Sequence, residues 1–508
     1  MDGVAVSRQQ REWVWAGLIG LAFALRVMGL EVQSLWRDEV DALRFAQRPL
    51  VDLLHTFGEP GQNGPLYFLV LCPWLKVAGQ SEFALRFFSV IAGVLGVPLL
   101  RRLSQHLFPG EPAIGIGAGL LMATSPYLVW YDQEGKMYAA VVTLAMLSME
   151  RFLVALEGGQ WRSWGVYLVV TSALFYVHLL GALIVPVQVV AAWVLVRRNR
   201  RFDWRGWLVS LAVLTAPYLP LLIWQVPLLL HPADTGFRFV PLPEMLVSLW
   251  TSYSLGVVQR LQPWMAALFG GVLMAGTVAV ERRWRTVVWG VLFAWLLIPV
   301  VGVFLISLVR PLFTARYLIL ITPAYLLLLA GGLATVRDRS RLLGGMLTAA
   351  LLVTNGWGIW CQSRTLLKAD FRAATRYIAA RLSPDDLILF QIPYGRYSFE
   401  YYWPRPKPLP AVGGAYRAYV PWVTGGGHPA YRWAEGLYTN SGMGPDQVAR
   451  RMAEITAGSR VVWLVATEMS LWDERGLVQA WLEEHGRLTD EVQFVRVTVS
   501  RYDLSGGG

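Results

Sequence analysis

Charge is what this 508-residue chain is short of. Asp, Glu, Lys and Arg make up 16% of it, where a soluble globular protein carries about 25%. Hydrophobic residues make up 55%, so a wholly water-soluble protein is excluded and a membrane protein is the class that remains. Cysteine is scarcer still. Cys72 and Cys361 are too few for a disulfide framework, and their spacing suggests no metal, so they read as packed thiols. No internal repeat or low-complexity run is present, which argues against a solenoid. A cleavable signal is missing too: the first apolar segment is full-length and has no small-residue cleavage site, so it is expected to remain as a transmembrane helix.

What is there is a series of apolar runs long enough to cross ~30 Å of hydrocarbon, recurring through the first 360 residues and then stopping. The formal charge of +11 is not a nucleic-acid signal, because the cations cluster in short loops between apolar runs, as the positive-inside rule expects. Arg8 and Arg11, Arg101-Arg102, Arg197 to Arg201, Glu281 to Arg285 and Arg337 to Arg341 are the clusters. Residues 65–79, "PLYFLVLCPWLKVAG", hold Pro73 and Lys76 and suit a helix lying in the interface. Counting them as a span would put Arg101-Arg102 outside. The expected spans are therefore eleven: 13–30, 82–101, 111–129, 137–156, 163–178, 179–196, 206–225, 264–280, 286–308, 316–335 and 342–360. With the N-terminus in the cytoplasm, an odd number places the tail outside. Segments 31–81, 130–136 and 226–263 then face outward, and the first and third are long for connections in a compact bundle.

The tail begins "DFRAATRYIAARLSPDDLILFQIP", an amphipathic helix ending near Ser383-Pro384 and then a buried-type strand. "RVVWLVAT" reads as a second strand, "LVQAWLEEHG" as a helix closed by Gly486, and "VQFVRVTVSRYDL" as one strand with alternating faces. Residues 404–445, rich in Pro, Gly and Tyr, read as irregular. The expected organisation is a transmembrane domain over 1–361 and a soluble α/β domain over 362–508.

Three polar constellations carry possible chemistry. "SLWRDEVDAL" places Asp38 and Glu39 just past the first span; they are either solvated acids opening a helix, where negative charge favours the N-terminus, or part of a site. "SPYLVWYDQEGKMYAA" puts Asp132, Glu134 and Lys136 in a very short outer loop between Tyr131 and Tyr138. That is either a polar turn with interfacial tyrosines or a second part of the same site. "RPLFTARYLILITPAY" sets Arg310 and Arg316, followed by Tyr317, on the outer face against the positive-inside trend. Such arginines either bind lipid headgroups or grip a phosphate at the lipid boundary.

Taken in order, "SLWRDEV", "NGPLYFLVL", "SEFALRFFSVIAGVLGVPLL", "SPYLVWYDQEGKMYAA" and "RPLFTARYLILITPAYLLLLAGG" resemble the GT-C superfamily of polyprenyl-phosphate-sugar glycosyltransferases. The likeness is nearest to family 39, which holds the protein O-mannosyltransferases and the bacterial lipid A aminoarabinose transferases. It runs along residues 30 to 335, and the tail resembles the variable extracytoplasmic domains of these proteins. The resemblance implies a polytopic α-helical membrane protein of GT-C type with about eleven transmembrane helices and an extracytoplasmic α/β domain. It also implies a multi-pass enzyme of the plasma (cytoplasmic) membrane. Asp38 then maps onto the catalytic base with Glu39 beside it, and Glu134 onto the acid of the second outer loop. Lys136 stands where the family usually has Arg. Asp132, Lys136, Tyr138, Arg316 and Tyr317 become candidate substrate contacts. The family's "HPPLYY" is here "NGPLYF", with Asn63 and Gly64 in place of the histidine and first proline.

The chemistry can be stated from the residues. A sugar leaving a polyprenyl phosphate requires charge neutralisation at the phosphate and removal of a proton from the acceptor hydroxyl. Lys136 and Arg316 fit the first task and Asp38 the second. Inversion needs one base opposite the leaving group and no covalent intermediate. No cofactor is expected. His55 and Glu59 share a possible helical face and could ligate a divalent metal, but two ligands make a poor site. The expected partners are the lipid-linked donor, a lipid, glycan or protein acceptor, and membrane lipids, with no nucleic acid. The rival reading is a lipid-linked-saccharide transporter or flippase, which would need charges near the midplane and broken helices; the spans lack such charges, although Pro217, Pro220, Pro299 and Pro323 could break helices.

Overall fold

Leu-, Val- and Ala-rich runs form the helices of the first 364 residues. The computed structural model describes residues 8–58, 63–196, 203–216, 238–258, 263–403 and 431–505. Up to Arg364 the helices are α1 (Arg8–Val27), α2 (Arg37–Ala46), α3 (Leu50–His55), α4 (Pro65–Ala78), α5 (Glu82–Leu107), α6 (Pro112–Thr124), α7 (Pro126–Asp132), α8 (Tyr138–Gly158), α9 (Trp161–Val177), α10 (Ile184–Val196), α11 (Trp204–Thr215), α12 (Leu242–Leu255), α13 (Pro263–Ser307), α14 (Thr322–Arg339) and α15 (Arg341–Arg364). Short 3₁₀ turns at Leu179–Leu183 and Ala315–Ile321 lead into α10 and α14. The chain divides into two units, Met1–Leu30 with Leu50–Arg364, and Glu31–Pro49 with Thr365–Gly508. The segment 31–49, and α2 with it, therefore belongs to the C-terminal unit.

Among the described residues of the helical unit, five helical stretches are long and apolar enough to cross a membrane, and the bent pair α6–α7 makes a sixth. The chain is a multi-pass membrane protein. Helix α4 has 14 residues, about 21 Å at the helical rise, which is short of the ~30 Å hydrocarbon thickness. The loop expected at 281–285 does not form. Helix α13 runs unbroken from Pro263 to Ser307, through what reads as two spans, because no Gly or Pro stands at 281–289 and Arg, Glu and Trp all continue a helix. The expected span 206–225 is described only as far as Ala216. Its remainder and the first part of 226–263 lie outside the described residues, while 238–258 contains α12. Helices α13 and α14 approach backbone to backbone. A Cβ at Gly276 would sit 1.9 Å from the Leu328 carbonyl oxygen, and one at Gly332 would sit 2.0 Å from that of Val272, the close contact that small residues allow between membrane helices.

The C-terminal unit adds α16 (Phe371–Ala379), β1 (Leu387–Phe390), α17 (Gly395–Tyr402), β2 (Arg432–Glu435), α18 (Pro445–Thr456), β3 (Val461–Ala466), α19 (Met469–Trp472), α20 (Leu477–His485), β4 (Arg487–Phe494) and β5 (Val497–Asp503). The strands form one sheet in the order β2-β1-β3-β5-β4, parallel on one side and antiparallel on the other. Continuous apolar runs such as Leu387–Phe390 and Val461–Ala466 are buried along their whole length, as a sheet covered on both faces requires. Leu387, Leu389, Val462 and Leu464 pack against α18 and α20 through Val448, Met452, Val478 and Leu482. Ile388, Phe390, Trp463 and Val465 pack against α16 and α17 through Phe371, Ala374, Ile378 and Phe399.

Two expectations about the tail are corrected. "VQFVRVTVSRYDL" is a hairpin, not one strand: β4 and β5 pair antiparallel around Val495-Arg496, with Arg496 at φ +55°. Arg is an unusual choice for a left-handed position, which Gly or Asn ordinarily fills, so the turn left no mark in the sequence. Within 404–445, Arg432–Glu435 is an edge strand paired with β1; residues 404–430 lie outside the described residues.

Candidate active site

In the helical unit the loop that carries Asp132, Glu134 and Lys136 follows a break. Helices α6 and α7 meet at 58° because Pro126 has no N–H to continue the helix, and Ser125 caps α7 by accepting from the Leu128 amide. The break leaves carbonyls at the end of α6 without intrahelical donors. Arg26 of α1, 0% exposed, supplies them: its Nη atoms donate to the carbonyls of Met122 at 3.1 Å and Ala123 at 3.0 Å. Its Nε donates to Asp132 Oδ2 at 2.6 Å. Gln362 of α15 donates to the Pro126 carbonyl at 2.8 Å, and Gln133 donates to the carbonyls of Arg26 and Met28. Gly93 of α5 makes room for the ion pair, since a Cβ there would lie 2.3 Å from the Asp132 carboxyl carbon. The carboxylate of Asp132 is thus held by Arg26 and closes the broken helix.

Beyond the break the chain turns through Glu134, which is 1% exposed, and Lys136 into α8. Lys136 Nζ lies 5.9 Å from the centre of the Phe68 ring. The guanidinium of Arg316, in the 3₁₀ turn before α14, lies 5.7 Å from the Tyr138 ring and 5.8 Å from the Tyr317 ring. Between those two tyrosines is His178, with ring centres 6.2 Å from Tyr138 and 5.6 Å from Tyr317, and both Arg316 and Lys136 act on it electrostatically. Further rings continue from Tyr138 through Tyr131 and Tyr127 to Tyr253. Lys136, Tyr138, Arg316 and Tyr317 are therefore brought together as one cationic, aromatic cluster around a histidine.

The structure adds residues that sequence reasoning missed. His178 is 4% exposed, and its Nδ1 accepts from the Leu180 amide at 3.2 Å, which fixes the neutral ring as the Nε2–H tautomer. Among the described residues that Nε2 has no hydrogen-bond partner, and a buried donor left so is costly unless a ligand meets it. Asn63, at the family's histidine position, accepts from the Leu179 amide at 3.1 Å and so anchors the turn carrying His178. Gly64 beside it has φ +83° and caps α4, where a Cβ would strike Met137 at 2.4 Å. Arg26, Arg86 and Glu150 are buried charges toward the ends of apolar runs. A charge inside an apolar run was the available signal.

The C-terminal unit holds the first acidic pair. Both residues lie in the first turn of α2. Asp38 is half-buried. Glu39 is 0% exposed and accepts from Lys368 Nζ at 2.9 Å. Helix α2 also lays Arg37 over Tyr394 and Arg44 over Tyr397 of the tail, at 3.9 and 3.2 Å from the ring centres. Burial pushes the neighbouring Glu400 carboxyl above its ordinary range, against the pull of Arg396 and Arg44. Among the described residues no group of three or more His, Cys, Asp and Glu could hold a metal ion; of the metal candidate, Glu59 lies outside the described residues.

Residues 62–224 match the family model of the dolichyl-phosphate-mannose-protein mannosyltransferases, a stretch that holds Asp132, Glu134, Lys136, Tyr138 and His178. Among solved structures, ArnT from Cupriavidus metallidurans bound to undecaprenyl phosphate aligns with a TM-score of 0.58 at 14% identity, covering 98% of this chain and 99% of that one. The chain has the GT-C fold. The apo oligosaccharyltransferase of Archaeoglobus fulgidus shares this fold at a TM-score of 0.55 and 12% identity, over 94% of this chain and 71% of its own. The arabinofuranosyltransferase AftD from Mycobacteria does so at 0.50 and 17% identity, over 99% and 40%. No curated protein sequence matches this chain. The likeness in fold covers residues of both units, beyond the stretch 30–335 along which the motifs are ordered.

Proposed function

We propose that this protein is an integral-membrane glycosyltransferase that moves a sugar from a polyprenyl-phosphate donor to an acceptor hydroxyl with inversion at the anomeric carbon. The observation that carries the reading is the cluster of Lys136, Arg316 and the buried Nε2 donor of His178. Two cations and an N–H donor set among tyrosine rings suit a phosphate attached to a lipid. In this reading Lys136 and Arg316 hold the donor phosphate, Tyr138 and Tyr317 flank it, Asp38 removes the acceptor proton, and Glu134 orients acceptor or base. The parent of the leaving group is a stable phosphate, so charge stabilisation and one base suffice without a covalent intermediate. The protein acts at the plasma membrane, with its N-terminus in the cytoplasm and its C-terminal unit outside. Protease added to intact spheroplasts should then remove the tail; protection until the membrane is opened would reverse the orientation.

The transporter reading draws support from one observation, the break between α6 and α7 beside a buried arginine. In that class the unwound ends line a substrate path. Here the carbonyls of the break are taken by Arg26 and Gln362, which favours a structural role for it. The deciding experiment incubates the purified protein with a panel of polyprenyl-phosphate sugars. It scores protection against heat unfolding, since a donor that binds the native state stabilises it by mass action, and then looks for released polyprenyl phosphate. Binding with no release under any acceptor tried would leave the transporter.

A further inference from the structure

The C-terminal unit is made of two pieces distant in sequence, and polar contacts join them. The side-chain amide of Gln33 donates to the Thr365 carbonyl at 2.8 Å and accepts from the amides of Leu367 and Lys368 at 2.9 and 3.3 Å. Arg372 donates to the carbonyls of Glu31 and Gln33, its own amide donates to Ser34, and the Tyr402 hydroxyl accepts from the Leu35 amide at 2.6 Å. At the centre of this seam is the pair Glu39–Lys368, 2.9 Å apart, with side chains 0% and 7% exposed.

Such a pair decides between two adjacent acids. A carboxylate shielded from solvent and bonded to an ammonium has little access to an acceptor hydroxyl, and its charge is already balanced. Asp38, next to it on the same first turn, is half-buried. We propose that Lys368 is a positioning residue: by binding Glu39 it locks the first turn of α2 and leaves Asp38 as the sole base. This rests on the reading of Asp38 given above. It also gives the tail a task inside the reaction, because the lysine that sets the acidic helix is the fourth residue of the C-terminal segment.

The test uses the full-length protein in lipid nanodiscs with Lys368→Met, Lys368→Arg, Glu39→Gln and the double variant Glu39→Gln/Lys368→Met. Heat unfolding needs no donor and forms a double-mutant cycle. Each single loss should lower Tm by several degrees, and the double variant should lose less than the sum. Turnover is then measured with whichever polyprenyl-phosphate sugar protects the wild type. Lys368→Met should lower kcat about tenfold or more with little change in donor KM, the signature of an interaction that serves the reaction rather than donor binding. Lys368→Arg, and the double variant, should recover most of it. Wild-type kcat in Lys368→Met, additive losses of Tm, or a double variant as inactive as Asp38→Asn would each overturn the proposal, the last by showing that Glu39 takes part in the chemistry. If the wild type itself transfers nothing, the functional reading falls, and the Tm cycle alone still decides whether Lys368 and Glu39 act as a pair.

Discussion

The two acid-bearing segments are built alike and placed differently. Each has two acids within three residues, and in each one acid is held by a buried cation: Glu39 by Lys368 at 2.9 Å, and Asp132 by Arg26 at 2.6 Å. The cations differ in kind. Arg26 has a planar fork and divides its donors between a carboxylate and the carbonyls of a broken helix, which a lysine could not span. Lys368 is a point charge that meets one carboxylate at the seam of the C-terminal unit. The remaining acids differ as well, since Glu134 is 1% exposed and Asp38 only half-buried. An acid that must pass a proton onward needs contact with water, and an acid that orients a group does not. That contrast fits the proposed roles, proton removal by Asp38 and orientation by Glu134, and it ranks what each substitution should do.

Asp38→Asn should have the largest effect, lowering transfer by the ~10² to 10⁴ that follows loss of a general base. Donor binding, read as protection against heat unfolding, should survive. Unimpaired transfer would move the base elsewhere. Next comes Arg26→Leu, which leaves the Asp132 carboxylate buried without its cation and should cost roughly 3–5 kcal/mol of stability. Arg26→Leu with Asp132→Leu should recover much of that cost, as measured by denaturation in nanodiscs. If the double variant is no better than the single, Arg26 matters through the α6 carbonyls rather than through Asp132. Arg316→Ala should weaken donor binding by roughly ten- to a hundredfold, the worth of one charge-assisted hydrogen bond, with a smaller change in kcat. Equal donor affinity would remove Arg316 from the phosphate. The smallest effect is expected from Arg101→Gln, which breaks the ion pair with Glu12. Those side chains are 26% and 53% exposed, so the change in stability should stay within ~1 kcal/mol. A loss as large as that of Arg26→Leu would show that exposure does not rank these pairs.

Local pattern carried the regular elements. The runs Leu387–Phe390 and Val461–Ala466 are strands, and Leu477–His485 is a helix ending before Gly486, because strand and helix signals are written over a few adjacent residues. The residue types of Lys136, Tyr138, Arg316 and Tyr317 were legible in two separate segments, and their meeting is what the structure adds. What escaped was long-range or chemically unmarked. Arg26 and Asp132 are 106 residues apart and Glu39 and Lys368 are 329 apart, so no window along the chain shows that they meet. His178 sits in an apolar run with nothing beside it to announce a role. The helix through 281–285 was misread because a basic cluster was taken as a loop, although cations are compatible with either.

The split make-up of the C-terminal unit has a consequence for how the chain is born. Residues 31–49 leave the ribosome first, and residues 50–364 are made before their partner segment appears, which at ~10 residues per second takes about half a minute. Throughout that interval Glu39 has no Lys368 and Gln33 no backbone to bond. The bond from Lys368 to Glu39 cannot form until synthesis has passed the last long apolar helix. An unfinished chain therefore lacks every contact that ties residues 31–49 to the tail until the residues from Thr365 onward have been made.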